Sequence, residues 1–233
     1  MFHGATGVPD ARLDRYDHLI VHVTATPPDR DIGAAEVDAM HRQRGFSMCG
    51  YNAVIRRNGD WEDADDGFKT RPIGRAGAHV GGCGPGWNGR SFGVSLVGGV
   101  DSQNRPEFNM TAVQMETLRD GIERFLSLHR NSAGVKIMGH RDLIRLTNAA
   151  PKACPCFDVI PWWNNQPHDE TEDEDLHTPP TPMDLGESWT VIRGDTLFRI
   201  SRATGVSVST ILHLNPSITD ASAISVGQVI SLS

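Results

Sequence analysis

Two histidines and one cysteine, far apart in the chain, are the residues whose types could do chemistry together. His22 sits in the apolar run Leu19-Ile20-Val21-His22-Val23, His140 follows another short apolar run, and Cys154 lies in Ala150-Pro151-Lys152-Ala153-Cys154-Pro155. Two neutral imidazoles and one thiolate suit a single Zn²⁺ and leave its fourth position to water, which is the coordination a hydrolase needs. Such a centre carries a net charge near +1 and draws the pKa of a bound water towards ~7. The chain has ten histidines, however, and any one taken alone is more often a surface or satisfied core residue than a ligand. His18, His41, His129, His168, His177 and His213 are assigned to that ordinary role, and Cys49 and Cys83 to small core hydrophobes.

The elements that must position these groups are legible in outline. Residues 19–23 read as a buried strand, so His22 would be aimed rigidly. Residues 31–45 read as a short helix with an acidic start and a glycine stop. Strands over 51–55 and from Trp61 flank Asn58-Gly59, a hairpin signal. Residues 92–97 form another core strand closed by Gly98-Gly99. The clearest helix spans 111–130, where Met115, Leu118, Ile122, Phe125 and Leu126 recur at three and four residues and Thr111 with Gln114 forms a capping box. A short strand at 135–138 then delivers His140. Strands interleaved with helices predict an α/β or α+β domain with a mainly central sheet.

The formal charge of −7 is not spread over the chain. Residues 164–187 hold eight Asp or Glu and no Lys or Arg, so the remainder stands at +1. That near-neutral remainder has no basic footprint, and no nucleic-acid partner is expected. The acidic stretch, with Pro179-Pro180 and Pro182, cannot bury enough surface to fold and is expected to be an extended tether. It divides a first domain at 1–163 from a second at 188–233. No segment reaches the ~18 apolar residues of a membrane span, and residues 1–17 lack the pattern of a signal peptide. Cytoplasmic synthesis, reduced thiols and no membrane insertion are therefore expected. After the tether, strand 189–192, a helix from Asp195 or Thr196 to Ala203, a helix from Ser207 to Asn215-Pro216 and strand 229–232 make a small β-α-α-β unit.

Exact strings narrow the chemistry. Ile20-Val21-His22-Val23-Thr24-Ala25-Thr26, Gly50-Tyr51-Asn52, Ser91-Phe92-Gly93-Val94-Ser95-Leu96-Val97-Gly98-Gly99, Gly139-His140-Arg141-Asp142 and Ala150-Pro151-Lys152-Ala153-Cys154-Pro155-Cys156-Phe157 resemble, in that order, the zinc N-acetylmuramoyl-L-alanine amidases of the bacteriophage lysozyme type. The similarity runs from about residue 18 to 163. It implies an α/β fold with a central mixed sheet flanked by helices, and cleavage of the amide between the lactyl group of N-acetylmuramic acid and L-alanine. It also implies one Zn²⁺ held by His22, His140 and Cys154, with Tyr51 as the active-site tyrosine and Lys152 as the catalytic lysine. His79, in Gly77-Ala78-His79, is a candidate for the substrate groove, with a structural role as the competing reading. Two departures stand out: a longer segment between His140 and Lys152, so that a loop over 143–149 would reshape the groove, and a second thiol at Cys156, read as a packing residue.

The second unit resembles the LysM module through Trp189-Thr190-Val191, Gly194-Asp195-Thr196-Leu197, Gly205-Val206-Ser207, Asn215-Pro216 and Val226-Gly227-Gln228. That resemblance implies binding of N-acetylglucosamine-containing glycan through Gly194, Asp195, Thr196, Asn215, Pro216, Ser217 and Ile218. Together the two resemblances imply a monomeric peptidoglycan hydrolase of endolysin type, reaching the wall after the membrane is permeabilised. A host wall-remodelling amidase and a non-catalytic peptidoglycan-recognition module are the alternatives.

Overall fold

Six consecutive buried residues form β1 (His18–Val23). Burial on both faces is the signature of a central strand in a largely parallel sheet. The computed structural model describes residues 9–164, 188–191, 197, 200, 204, 206, 208–218, 224–225 and 227–233. With β2 (Ala53–Ile55), β3 (Trp61–Asp63), β4 (Ser91–Leu96) and β5 (Lys136–Gly139), β1 builds a five-stranded sheet in the order β3-β2-β4-β1-β5. β1 runs parallel to β4 and β5 and β2 runs parallel to β4, while β3 closes the edge antiparallel to β2. This is the mixed central sheet expected from the sequence.

Strand alternation separates the two faces of the sheet. Leu19, Val21 and Val23 of β1 and Phe92, Val94 and Leu96 of β4 join one core cluster with Leu118, Ile122 and Phe125. Those three come from α3 (Ala112–Leu128), the amphipathic helix expected at 111–130. Its capping box is present: Gln114 N–H donates to Thr111 Oγ1 at 3.2 Å, and Thr111 N–H donates to the Gln114 side chain at 3.1 Å. Gln114 also donates to the carbonyls of Ile55 and Val97, fastening the helix start to the end of β2 and to the residue that follows β4. Gly121 of α3 faces Trp61, where a Cβ would come within 2.2 Å of the indole.

Ile20 and Met138 point to the other face and cluster with Leu143 and Ile144. By the same alternation His22 shares that face. The helix expected at 31–45 is shorter, α1 (Ala34–Gln43). Asp31 is instead drawn off to an ion pair with Arg56 at 2.7 Å, and Gly33 N–H is capped by Glu36 at 3.0 Å. A four-residue turn, α2 (Trp87–Arg90), leads into β4.

The segment after β5 corrects the sequence reading. Residues 143–147 are not loop: they belong to α4 (His140–Thr147), which begins at the candidate ligand itself. Asp142 accepts the Gly139 N–H at 2.9 Å and stabilises the helix start, while Leu143 and Ile144 are buried beneath it. Only Asn148, in the left-handed region at φ 51°, ends the helix and turns the chain towards Cys154. α5 (Val159–Asn164) closes the unit.

By contacts the chain divides into Met1–Gln166 and Pro167–Ser233. In the second unit, β6 (Ser188–Thr190) pairs antiparallel with β7 (Val229–Ser231), and α6 (Val208–Leu214) lies between them in sequence. Val191, Leu197, Ile200, Ile211, Ile218 and Ile230 form its core. The expected first helix of this unit lies mostly outside the described residues, as does the tether beyond residue 164. Among the described residues no helix is long and apolar enough to cross a membrane.

Candidate metal centre

His22, at the C-terminal end of β1, and His140, at the first turn of α4, reach the same point because β1 and β5 are parallel neighbours. Their ring centroids lie 4.6 Å apart. Cys154 arrives from a loop tied on both sides: Arg141 N–H donates to the Cys154 carbonyl at 2.8 Å, and Cys156 N–H closes a turn onto Ala153. Val23 N–H donates to Cys154 Sγ at 3.4 Å, so the sulfur is held against β1. One donor atom from each of His22, His140 and Cys154 lies within 4.8 Å of the other two. His22 faces the sulfur with Nδ1, at 3.8 Å.

The electrostatics suit a cation. Burial first, then His79, His140 and Lys152, hold His22 well below its ordinary pKa. Burial, with Lys152 second, takes His140 down to about 4, so both imidazoles are neutral donors at pH 7. His140 Nε2 is buried with no hydrogen-bond partner. Burial pushes the Cys154 thiol up to about 12. Left alone it would stay protonated, whereas a dication beside it favours the thiolate outright. An orphaned imidazole nitrogen and a buried thiol facing one point fit a divalent metal ion.

Around these groups stand the other candidates. The Tyr51 ring lies 5.2 Å from that of His22, and burial raises its phenol so that it stays an O–H donor at neutral pH. Lys152 is exposed, two residues before the sulfur, and close enough to depress both histidines. Cys156 turns away: its thiol donates to the Gly99 carbonyl at 3.1 Å and packs on the α3 core.

His79 is placed otherwise than at a groove wall. It is 7% exposed and lies behind His22, with its Nδ1 2.9 Å from His22 Nε2. If His22 presents Nδ1 as the ligand atom, its proton sits on Nε2 and donates to His79 Nδ1. The His79 proton is then on Nε2, facing the Ser91 carbonyl at 3.3 Å. Asn88 Oδ1 accepts the His79 backbone N–H, and Gly93 makes the room, since a Cβ there would lie 2.7 Å from the ring. The alternation in β4 was the available signal: Ser91, Gly93 and Ser95 are all small on this face, while Phe92, Val94 and Leu96 are large on the other.

In the second unit, Gly194, Asp195 and Thr196 lie outside the described residues. Asn215 is 8% exposed and its side chain is already used: the amide donates to the carbonyls of Ile211 and Ser231 and accepts from Ser231 N–H. Ile218 is buried in the core, so Pro216 and Ser217 are the exposed members of the expected glycan loop.

A sheet that converges two imidazoles and a thiol beside a phenol and an ammonium has the layout of a metal-dependent hydrolase. The profile of the N-acetylmuramoyl-L-alanine amidases matches residues 12–157, and that of the LysM domain matches residues 190–233. The endolysin of Klebsiella phage KP32 is 37% identical over 145 residues, covering 62% of this chain and 83% of that protein. The endolysin of Escherichia phage T7 is 33% identical over 147 residues, covering 63% and 85%. Among solved structures, the N-acetylmuramoyl-L-alanine amidase LysC from Clostridium intestinale is 24% identical at a TM-score of 0.44, covering 67% of this chain and 87% of that one. Drosophila PGRP-LB is 18% identical at a TM-score of 0.47, with coverages of 66% and 82%. The chain belongs to the N-acetylmuramoyl-L-alanine amidase family, with a LysM domain following the amidase domain.

Proposed function

We propose that this chain is a zinc-dependent endolysin that cuts the amide between the lactyl group of N-acetylmuramic acid and L-alanine, and that its LysM domain holds it on peptidoglycan. The observation that carries the reading is the convergence of His22, His140 and Cys154 within 4.8 Å in a chain of the amidase family. Zinc is the ion of choice because a donor set of two imidazoles and one thiolate matches its catalytic sites, and one Zn²⁺ bound there would polarise the scissile carbonyl and acidify a water.

The protein's own groups supply the rest. His79 holds the His22 ring in the tautomer that leaves Nδ1 free. The Tyr51 phenol orients the water or donates to the substrate. The Lys152 ammonium stabilises the oxyanion that develops on the carbonyl oxygen. The site lies within a catalytic domain taken as 1–163, and an acidic stretch over 164–187 joins that domain to the LysM domain at 188–233, whose hold on the wall raises the local substrate concentration. The glycan bound by LysM is N-acetylglucosamine-containing, the protein acts as a monomer, and it works on the wall once the membrane has been permeabilised.

Elemental analysis of native protein, paired with release of new L-alanine amino termini from purified peptidoglycan, tests the reading. One zinc per chain with amino-terminal release is expected. Wall binding without release would instead support a recognition module.

A further inference from the structure

Ser95 is a fully buried polar residue beside the metal centre, and its hydroxyl has no hydrogen-bond partner among the described residues. It lies in β4, where it is the parallel Cα partner of His22 in β1 and of Val54 in β2. Strand alternation puts it on the His22 face with Ser91 and Gly93. Ser91 differs from it, since the Ser91 hydroxyl donates to the Trp87 carbonyl at 2.6 Å. A buried hydroxyl without a partner is destabilising, and alanine at the same position would carry no such cost.

Tyr51 is a neighbour on which that hydroxyl acts. The Tyr51 ring packs 5.2 Å from the His22 ring and 5.2 Å from the His41 ring. His41 is itself fixed, because its Nδ1 accepts the Gly50 N–H at 2.9 Å. With the ring held in this way, rotation of the O–H about the phenolic C–O bond is the freedom that is left. Burial and then the Cys154 sulfur disfavour the charged phenol, whereas the Ser95 hydroxyl favours it. A hydroxyl favours a phenolate by donating to its oxygen. An oxygen that accepts from Ser95 keeps its own hydrogen for another acceptor. The phenol also feels the Cys154 sulfur, so the hydrogen it keeps lies near the metal centre.

We propose that Ser95 is a positioning residue: its hydroxyl donates to the phenol oxygen of Tyr51 and leaves the Tyr51 O–H free to donate to the substrate. This role rests on the amidase reaction proposed above. Within that reaction it makes the phenol a donor to the substrate rather than the group that holds the water. Ser95 touches neither the reacting atoms nor a metal ligand's donor atom, and it acts through Tyr51 alone.

The test is a double-mutant cycle in the full chain: wild type, Ser95→Ala, Tyr51→Phe and the pair, each assayed on a soluble muropeptide. Ser95→Ala is expected to lower kcat by about three- to tenfold, the worth of one hydrogen bond, with KM and zinc affinity within about twofold of wild type. In the Tyr51→Phe background the same substitution is expected to change kcat by less than about twofold, because no phenol is left to aim. Equal losses with and without the phenol, or a loss that falls on KM or zinc binding instead of kcat, overturn the proposal. Denaturant unfolding of the amidase domain in the same four proteins reads the contact without turnover. Non-additive effects on stability are expected there, and additive effects overturn the contact. If wild type cuts no muropeptide, the amidase reading fails instead, and the unfolding cycle decides whether Ser95 serves Tyr51.

Discussion

Replacing His79 by leucine removes the acceptor behind His22 while leaving every candidate ligand in place. His22 is 1% exposed and His79 is 7% exposed, so no water can take over the His22 Nε2–H once the 2.9 Å partner is gone. A buried donor left without a partner costs about 1–3 kcal/mol. With the metal bound the ring cannot rotate to relieve that cost, whereas in the free protein it can, so most of the penalty falls on the bound state. At 1.4 kcal/mol per decade this corresponds to zinc binding weakened by roughly 10- to 100-fold, the usual range for loss of a group that orients a metal-bound imidazole. His79→Asn keeps an acceptor near the Nδ1 position and should recover most of the affinity. The assay is competition for zinc against a chromophoric chelator, which reads binding without reference to activity, with thermal melts run alongside to report folding. Equal dissociation constants for wild type and His79→Leu, or equal losses for the leucine and asparagine variants, would refute the orienting role.

Lys152→Ala should keep its zinc while kcat falls by about 100-fold, the scale of one lost oxyanion donor; zinc content and turnover measured on the same sample check this. Removing residues 187–233 should slow action on whole walls more than on soluble muropeptides, and parallel rates on both substrates are the measurement, since loss of anchoring does not touch the cleavage step. Asn215→Ala strips three hydrogen bonds from the join between α6 and β7 and should destabilise the LysM domain by about 2–4 kcal/mol, read by denaturant unfolding of that domain.

The elements that were legible are those whose pattern is both local and long. α3 announces itself by five apolar residues at helical spacing and by its Thr111–Gln114 cap, and β1 by an apolar run interrupted at His22. α4 is not legible in the same way: Leu143, Ile144 and Thr147 keep helical spacing, but eight residues are too few to stand out from a loop. Residues 143–147 are therefore helix rather than inserted loop.

The sequence by itself determined the two-part organisation through composition and the interleaving of strands and helices through periodicity, while the candidate ligand set of His22, His140 and Cys154 came from the resemblance of short exact strings to a known family. Only the tertiary structure decided how the groups meet. Period-two alternation says that His22 opposes Val21 and Val23, but not that β4 and β5 flank β1, and that order is what brings His140, 118 residues away, to within 4.6 Å ring to ring. Sheet order likewise set His79 behind His22 rather than in front of it, since the room for its ring is a missing Cβ at Gly93 on a neighbouring strand. Long-range register is settled by packing between distant segments, and no local pattern encodes it.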